Sequence, residues 1–153
     1  MTRLSGSCQA EIPFSIARCW AVIADVERTP EWQRTLKRVQ VLERDEAGRA
    51  LLADTDNDAR VRTVAVRVRF SYSEPGRMSY TLVASDDLDE MDGAWTLESL
   101  GPERTSATYE LAIDPGPIGF LGRPLERAIR PIVMGHQADE LAREVAARCA
   151  AGA

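Results

Sequence analysis

Three polar side chains on predicted strands could move a proton or hold a substrate oxygen. Tyr80 and Tyr109 alternate with apolar neighbours, and Arg62 shares the parity of the apolar positions that follow it along the chain. Residues of one parity face the same side of a sheet, so the two tyrosines share a side with apolar neighbours, and Arg62 could point inward from the start of its strand. A buried phenol can donate a proton and a guanidinium can hold an enolate oxygen by hydrogen bonds, which makes them candidate catalytic groups. Two core tyrosines and an arginine at an exposed strand end would give the same pattern.

Other kinds of catalytic centre are disfavoured by the residue types present. His136 is the only histidine, and Cys8, Cys19 and Cys149 lack C-x-x-C spacing, so neither a zinc site nor a disulfide framework is predicted. The sequence contains no G-x-S-x-G elbow and no glycine-rich phosphate motif. We expect no metal and no cofactor. The cysteines are interpreted as small apolar core residues, and His136 as a solvated neighbour of Glu140.

A larger group of side chains shares the inward parity of the strands or lies near the C-terminal helix. Aromatic rings offer flat apolar contact area together with a few hydrogen-bonding atoms. The candidate ligand-binding residues are Trp95, Tyr80, Phe70, Tyr72, Tyr109, Val68, Leu111, Phe120 and Ile129, with Trp32 as a further large side chain at the inner face or entrance. Phe120 is flanked by glycine and could act as a gate. Each of these residues could also be ordinary core.

Composition and charge exclude several classes of protein. The 153 residues are 44% hydrophobic and 28% charged, with a formal net charge of -5. Such a chain can bury the core of one domain, which we expect to span residues 1–153. The charge disfavours a nucleic-acid partner, and no apolar run approaches the roughly 18 residues of a membrane-spanning helix. Since no signal peptide is evident, we expect a cytoplasmic monomer or homodimer.

The spacing of apolar residues predicts an early helix followed by a series of strands. Apolar side chains three and four residues apart predict a helix from Ile16 to Val26 with Ser15 as N-cap, and a short helical turn is expected over residues 30–33. Alternation is clearest from Arg60 to Tyr72. Successive alternating segments joined by turns predict an antiparallel sheet of about six or seven strands.

The C-terminal part of the chain predicts a long helix against this sheet. Residues 125–149 are rich in helix formers, and Pro131 either kinks this helix or divides it in two. A twisted antiparallel sheet that curls around one long helix is an α+β grip. Such a fold can leave an internal space between sheet and helix, which would be a natural small-molecule site.

Several short motifs carry a resemblance to a known family. They are Pro13-Phe14-Ser15, the segment Cys19–Asp25, Pro30-Glu31-Trp32 and Met91-Asp92-Gly93-Ala94-Trp95. In these motifs and in its order of elements, nearly the whole chain resembles the polyketide cyclase/dehydrase family of the START-like (SRPBCC) superfamily. The resemblance implies a helix-grip (START/Bet v 1-like) fold around a deep hydrophobic cavity. It also implies ligands among lipids, sterols, polyketides and aromatic metabolites, but no particular reaction.

Three functions are compatible with the sequence. The first is binding of one hydrophobic small molecule, such as a lipid, polyketide or aromatic metabolite, in the internal cavity. The second is a cofactor-independent polyketide cyclase or dehydratase that uses Tyr80, Tyr109 or Arg62. The third is a protein interaction module with a filled core, which a structure without a cavity of about 300 Å³ or more would favour.

Overall fold

The computed structural model describes residues 4–33, 36–58, 63–114 and 138–151. The elements are β1 (Leu4–Ile12), α1 (Ile16–Ala24), a 3-10 helix (Val26–Glu31), β2 (Leu36–Arg44), β3 (Ala50–Asp58), β4 (Thr63–Ser73), β5 (Arg77–Ala84), β6 (Glu90–Gly101), β7 (Arg104–Asp114) and α2 (Ala138–Ala150). The strands form one antiparallel sheet in the order β1-β7-β6-β5-β4-β3-β2. The sheet is curved and has seven strands, and helices pack against it. The predicted α+β architecture with about six or seven strands is therefore confirmed.

The first helix forms where its sequence signals predict it. The Ser15 side chain accepts a hydrogen bond from the backbone N–H of Arg18 at 3.3 Å, which is the expected N-cap. The helix ends at Ala24, and Asp25 leaves the helical conformation with φ -85° and ψ 70°. Because the chain turns there, the 3-10 helix begins at Val26, four residues before the start of the predicted turn at Pro30.

Strand β4 shows the predicted division into an apolar inner face and a polar outer face. The side chains of one parity are buried, namely Val64, Val66, Val68 and Phe70. On the outer face, Arg67 pairs with Asp54 at 2.8 Å and Arg69 with Glu43 at 3.7 Å. Arg67 and Asp54 lie directly opposite each other on neighbouring strands, whereas Glu43 of β2 reaches Arg69 across β3. The inner face is therefore the side on which a ligand site can form.

Bulges contribute to the curvature of the sheet. The register shifts in the pairs β2–β3, β4–β5 and β6–β7, for example between Arg67 and Val68. An extra residue on one strand increases the local twist and bends that strand. The curved sheet turns its inner face toward the helical part of the chain, where α1 contacts β6 and β7.

The C-terminal helix packs against β1 and α1. Val145 and Cys149 of α2 are fully buried, as is Cys19 of α1, and both cysteines are free thiols in the core as predicted. Arg148 forms an ion pair with Glu31 at 2.8 Å. The described helix has 13 residues. The first part of the predicted longer helix, with Pro131, and also His136, lie outside the described residues.

Candidate ligand-binding site

The inner face of the sheet and the first helical segments border a cavity of about 60 Å³. Its lining includes positions on β3 to β7, together with Ile23 of α1, Val26 and Thr29 of the 3-10 helix, and Trp32 and Gln33 after it. Among the described residues that line the cavity, none is charged. The site is an apolar space with a few neutral polar groups, which is the usual character of a small-molecule site.

Five of the proposed ligand-binding residues lie together in this lining, and these are Val68, Phe70, Tyr80, Trp95 and Tyr109. The strand register explains their meeting. Phe70 lies opposite Tyr80 across β4 and β5, and Trp95 lies opposite Tyr109 across β6 and β7. The ring centroids within these two pairs are 5.9 and 4.9 Å apart, which is the range of favourable aromatic contacts. Cross-strand pairing thus builds an aromatic wall from residues far apart in sequence.

The two candidate catalytic tyrosines are in direct contact. The hydroxyl oxygens of Tyr80 and Tyr109 are 2.5 Å apart, so one phenol donates a hydrogen bond to the other. Burial, and then the neighbouring Tyr109 hydroxyl, raise the pKa of Tyr80 well above its usual value of about 10. Tyr80 is therefore a protonated, neutral phenol at physiological pH and can serve as a hydrogen-bond donor in the cavity.

Gly93 makes room for Tyr80. It lies directly opposite Tyr80 in the register of β5 and β6. A Cβ atom placed on Gly93 would be 2.1 Å from Cζ of Tyr80, far inside van der Waals contact. The phenol ring of Tyr80 thus lies over Gly93, and its hydroxyl reaches the hydroxyl of Tyr109. Sequence reasoning gave Gly93 no role, although a glycine in a strand interior is a signal of close approach.

Trp32 contributes a polar atom without a protein partner. The residue is only 9% exposed, and its indole Nε1 is buried and makes no hydrogen bond. A buried donor left unsatisfied costs about 1–3 kcal/mol. Other polar groups of the lining have partners, since Asn57 Nδ2 donates to Thr55 Oγ1 at 3.1 Å and the Tyr80 and Tyr109 hydroxyls bond to each other. Sequence reasoning placed Trp32 near the site but could not foresee its unpaired donor.

Tyr72 is not among the residues that line the cavity, although it has the inward parity of Phe70. It lies near the end of β4, where its hydroxyl donates to the carbonyl oxygen of Ala50 at 2.6 Å. Its ring packs edge to face with Trp20, with centroids 6.3 Å apart, and the Arg49 guanidinium lies 4.6 Å from the Tyr72 centroid. Burial raises the pKa of Tyr72. Its position supports a structural role instead of ligand contact.

The remaining predicted site residues fall elsewhere. Leu111 is a buried core residue opposite Gly93 and does not line this cavity. Arg62, Phe120 and Ile129 lie outside the described residues. The sequence did not single out Met78 and Met91 as site residues, yet both side chains line the cavity. They share parity with Tyr80 and Trp95, but parity does not tell which positions border a space.

Comparison with protein families decides the classification of the chain. The family described as polyketide cyclase / dehydrase and lipid transport matches residues 12–134. The chain belongs to this family. The match includes the strands and the first helical segments that build the cavity. A search of curated proteins gives no match.

Solved structures with the same fold cover almost the whole chain. A START superfamily protein from Mycobacterium smegmatis is 19% identical with a TM-score of 0.78, over 98% of this chain and 99% of that one. The Zhui aromatase/cyclase from Streptomyces sp. R1128 is 14% identical with a TM-score of 0.80, and the match covers 97% of this chain and 94% of that one. Norcoclaurine synthase from Thalictrum flavum is 7% identical with a TM-score of 0.69, and the match covers 99% of this chain and 96% of that one. These likenesses establish the START/Bet v 1 helix-grip fold.

Two further properties bear on the kind of site. Within residues 4–33, 36–58, 63–114 and 138–151, no group of three or more His, Cys, Asp or Glu side chains could hold a metal ion. No helix in that part of the chain is long and apolar enough to cross a membrane. The fold fits binding of a small hydrophobic molecule.

Proposed function

We propose that this protein binds one hydrophobic small molecule with aromatic character in the cavity on the inner face of its sheet. The observation that carries the proposal is the uncharged aromatic wall formed by Phe70, Tyr80, Trp95 and Tyr109. Flat rings favour flat apolar ligands, because stacking adds to the free energy of apolar burial. Membership of a family described by polyketide cyclisation and lipid transport also supports this kind of ligand.

The size of the cavity defines how binding must proceed. A volume of about 60 Å³ is well below the roughly 300–1,000 Å³ of sites that enclose drug-sized ligands. A ligand with one or two rings must therefore displace side chains that now fill the space. Met78 and Met91 suit this role, because an unbranched thioether side chain changes rotamer easily and adapts to irregular partners.

The proposal is tested by titrating the protein with 2-acetylnaphthalene and measuring affinity by calorimetry. Trp95→Leu removes a lining ring, so we expect the Kd to rise by about tenfold, which corresponds to roughly 1.4 kcal/mol. Trp20→Leu is the matched control, because Trp20 is buried to a similar degree, 6% against 4% exposed, and does not line the cavity. We expect its Kd to stay within about twofold of the wild-type value. Far-UV circular dichroism confirms that both variants are folded.

Equal weakening by the two substitutions would place the binding site elsewhere. Native mass spectrometry of the freshly purified protein adds an independent measurement, since a retained ligand appears as a stoichiometric adduct and can be extracted. An absence of both saturable binding and any retained molecule would overturn the proposal.

The alternative favoured by that negative result is an interaction module with a filled core. The small cavity volume is the observation that supports it. Its docking face would be the outer side of the sheet, where Arg69, Arg77 and Glu110 border an open groove of about 330 Å³. Ion pairs such as Arg77–Glu110, at 3.7 Å, already occupy part of this surface.

A cofactor-independent cyclase or dehydratase is the other candidate, supported by the contact between Tyr80 and Tyr109. Tyr80, whose raised pKa keeps it protonated, would donate a hydrogen bond to an enolate oxygen and hold the chain in a reactive conformation. Mass analysis of a poly-β-keto compound after incubation distinguishes the candidates. A binding protein returns the compound unchanged, a dehydratase returns a product that has lost one water, and a cyclase returns an isomer of the same mass that chromatography separates from the starting compound.

A further inference from the structure

The indole of Trp32 is fixed in place while its polar atom has no partner. The backbone N–H of Trp32 donates to the carbonyl oxygen of Thr29 at 3.1 Å, which holds the residue at the end of the 3-10 helix. The side chain is 9% exposed and lines the cavity. Its Nε1–H is buried and makes no hydrogen bond. Native structures rarely leave such a donor unpaired, so its presence beside a cavity calls for an explanation.

Trp20 shows that the fold can satisfy a buried indole. Its Nε1 donates to a carboxylate oxygen of Glu74 at 2.9 Å. The two tryptophans are similarly buried and differ in surroundings, since Trp20 is not part of the cavity lining. The difference points to an acceptor for Trp32 that arrives with the ligand, because an indole N–H can only donate.

The lack of charge among the described lining residues indicates that the acceptor is a neutral group. None of the described lining residues carries a charge that could compensate a carboxylate or phosphate on the ligand. An uncompensated ion in an apolar cavity has a large desolvation cost, whereas a carbonyl oxygen needs one donor. The Tyr80–Tyr109 pair offers a second neutral hydrogen-bonding group in the same cavity.

Resting on the proposed function, we infer that Trp32 Nε1 donates a hydrogen bond to a carbonyl oxygen of the ligand, so that this site selects neutral aromatic ketones. Trp32 is then a specificity-determining residue. It discriminates against hydrocarbons of the same shape, which leave the indole unpaired, and the described residues of the lining offer no charge to compensate an aromatic carboxylate.

Three probes of nearly equal shape test the inference by calorimetry. They are 2-acetylnaphthalene, 2-isopropenylnaphthalene, in which a methylene group replaces the carbonyl oxygen, and 2-naphthoate. In the wild type we expect the ketone to bind about tenfold more tightly than the alkene and the carboxylate. Trp32→Phe keeps an aromatic ring but removes the donor, so the ratio of ketone to alkene affinity should fall to about one. Trp20→Phe, the matched control, should keep the wild-type ratio.

Each outcome separates this inference from the proposed function. Similar binding of ketone and alkene by the wild type, or a preserved ratio in Trp32→Phe, would overturn the role of Trp32 while leaving the cavity site intact. Tight binding of 2-naphthoate would overturn the preference for neutral ligands. Binding of none of the three probes would overturn the inference, and the proposed function would fall with it if native mass spectrometry also showed no retained molecule.

A measurement on the wild-type protein covers the case in which Trp32→Phe does not fold. The chain has three tryptophans, and each gives one indole N–H signal in a nitrogen-15 correlation spectrum. Formation of a hydrogen bond moves an indole proton downfield. We expect the Trp32 signal to shift downfield with the ketone and not with the alkene, while the Trp20 signal stays in place. Identical shifts with both probes would contradict a bond to the carbonyl oxygen.

Discussion

Two aromatic clusters face the inner side of the sheet, and their polar atoms meet different partners. We call Trp20 and Tyr72 the anchored cluster. Trp20 Nε1 donates to Glu74 at 2.9 Å, and the Tyr72 hydroxyl donates to the Ala50 carbonyl at 2.6 Å. Every side-chain donor of this cluster therefore has a protein acceptor, and its rings pack edge to face. Such an arrangement stabilises the fold and leaves nothing for a ligand to satisfy.

We call Trp32, Tyr80 and Tyr109 the cavity cluster. The indole Nε1 of Trp32 is unpaired, and the two phenols bond to each other beside an open space. The two clusters are alike in residue type and in burial, so neither property tells a core aromatic from a ligand-binding one. The partners of the polar atoms differ between the clusters, since Trp20 Nε1 has an acceptor and Trp32 Nε1 has none, and this difference is why we propose the cavity cluster as the ligand-binding one.

The largest effect is expected from Gly93→Ala, which acts on the cavity cluster. The new methyl group would overlap the Tyr80 ring, whose Cζ lies 2.1 Å from the ideal Cβ position, so the ring must leave its place. Overpacking of this kind costs up to about 3 kcal/mol, and we expect that loss in unfolding free energy by urea denaturation. Binding of 2-acetylnaphthalene should be lost as well, because the Tyr80–Tyr109 contact is broken.

Gly101→Ala is the matched control, since nothing lies within 4 Å of a Cβ at that position of the same strand. A double-mutant cycle with Tyr80→Ala identifies the cause. In that background the clash is absent, so Gly93→Ala should cost less than about 1 kcal/mol. Equal costs in both backgrounds would show that Gly93 is needed for a reason other than Tyr80.

A smaller effect is expected when Phe replaces one tryptophan of each cluster. Trp20→Phe removes the bond to Glu74 and leaves unfilled volume in the core, for a loss of about 2 kcal/mol in unfolding free energy. Trp32→Phe removes a donor that has no partner, so the loss should be below about 1 kcal/mol. Urea denaturation of both variants measures the difference. Equal losses would show that the hydrogen bond between Trp20 and Glu74 adds nothing to stability compared with the unpaired indole of Trp32.

The sequence sufficed to predict the buried face of β4 and the first helix. Alternation around Val68 and Phe70 requires a strand with one buried face, and Ser15 followed by regularly spaced apolar residues requires a capped helix. These are local rules that operate over a few residues. They explain why the sheet, the first helix and the five aromatic and aliphatic contacts of the lining could be proposed before the structure.

The position of a residue along the inner face could not be predicted in the same way. Tyr72 and Phe70 have the same parity, but only Phe70 lines the cavity, because the neighbours of Tyr72 depend on how β3 and α1 are placed. The roles of Gly93 and Trp32 likewise depend on a close approach and on an absent partner, and both are tertiary properties. Cavity volume is a property of the whole packing, which local periodicity does not determine.

The smallest effect concerns stability at high pH, to which both clusters should contribute. Burial raises the pKa of Tyr72 and of Tyr80, whereas an unfolded tyrosine ionises near pH 10. Above about pH 10 the folded protein therefore holds more protons than the unfolded chain, and its stability falls as pH rises. Each buried phenol contributes a slope of about 1.4 kcal/mol per pH unit, while below about pH 9 neither contributes any slope.

Urea denaturation between pH 8 and about pH 11 measures how the unfolding free energy falls with pH. Tyr72→Phe and Tyr80→Phe should each reduce this slope by about 1.4 kcal/mol per pH unit above about pH 10. Only Tyr72→Phe should also lower stability at neutral pH, by about 1 kcal/mol, because the buried Ala50 carbonyl loses its donor. Tyr80→Phe removes one hydroxyl of a pair that faces the cavity, where a water can replace it. An unchanged slope in either variant would mean that its phenol ionises freely in the folded protein, and that cluster would then be open to solvent.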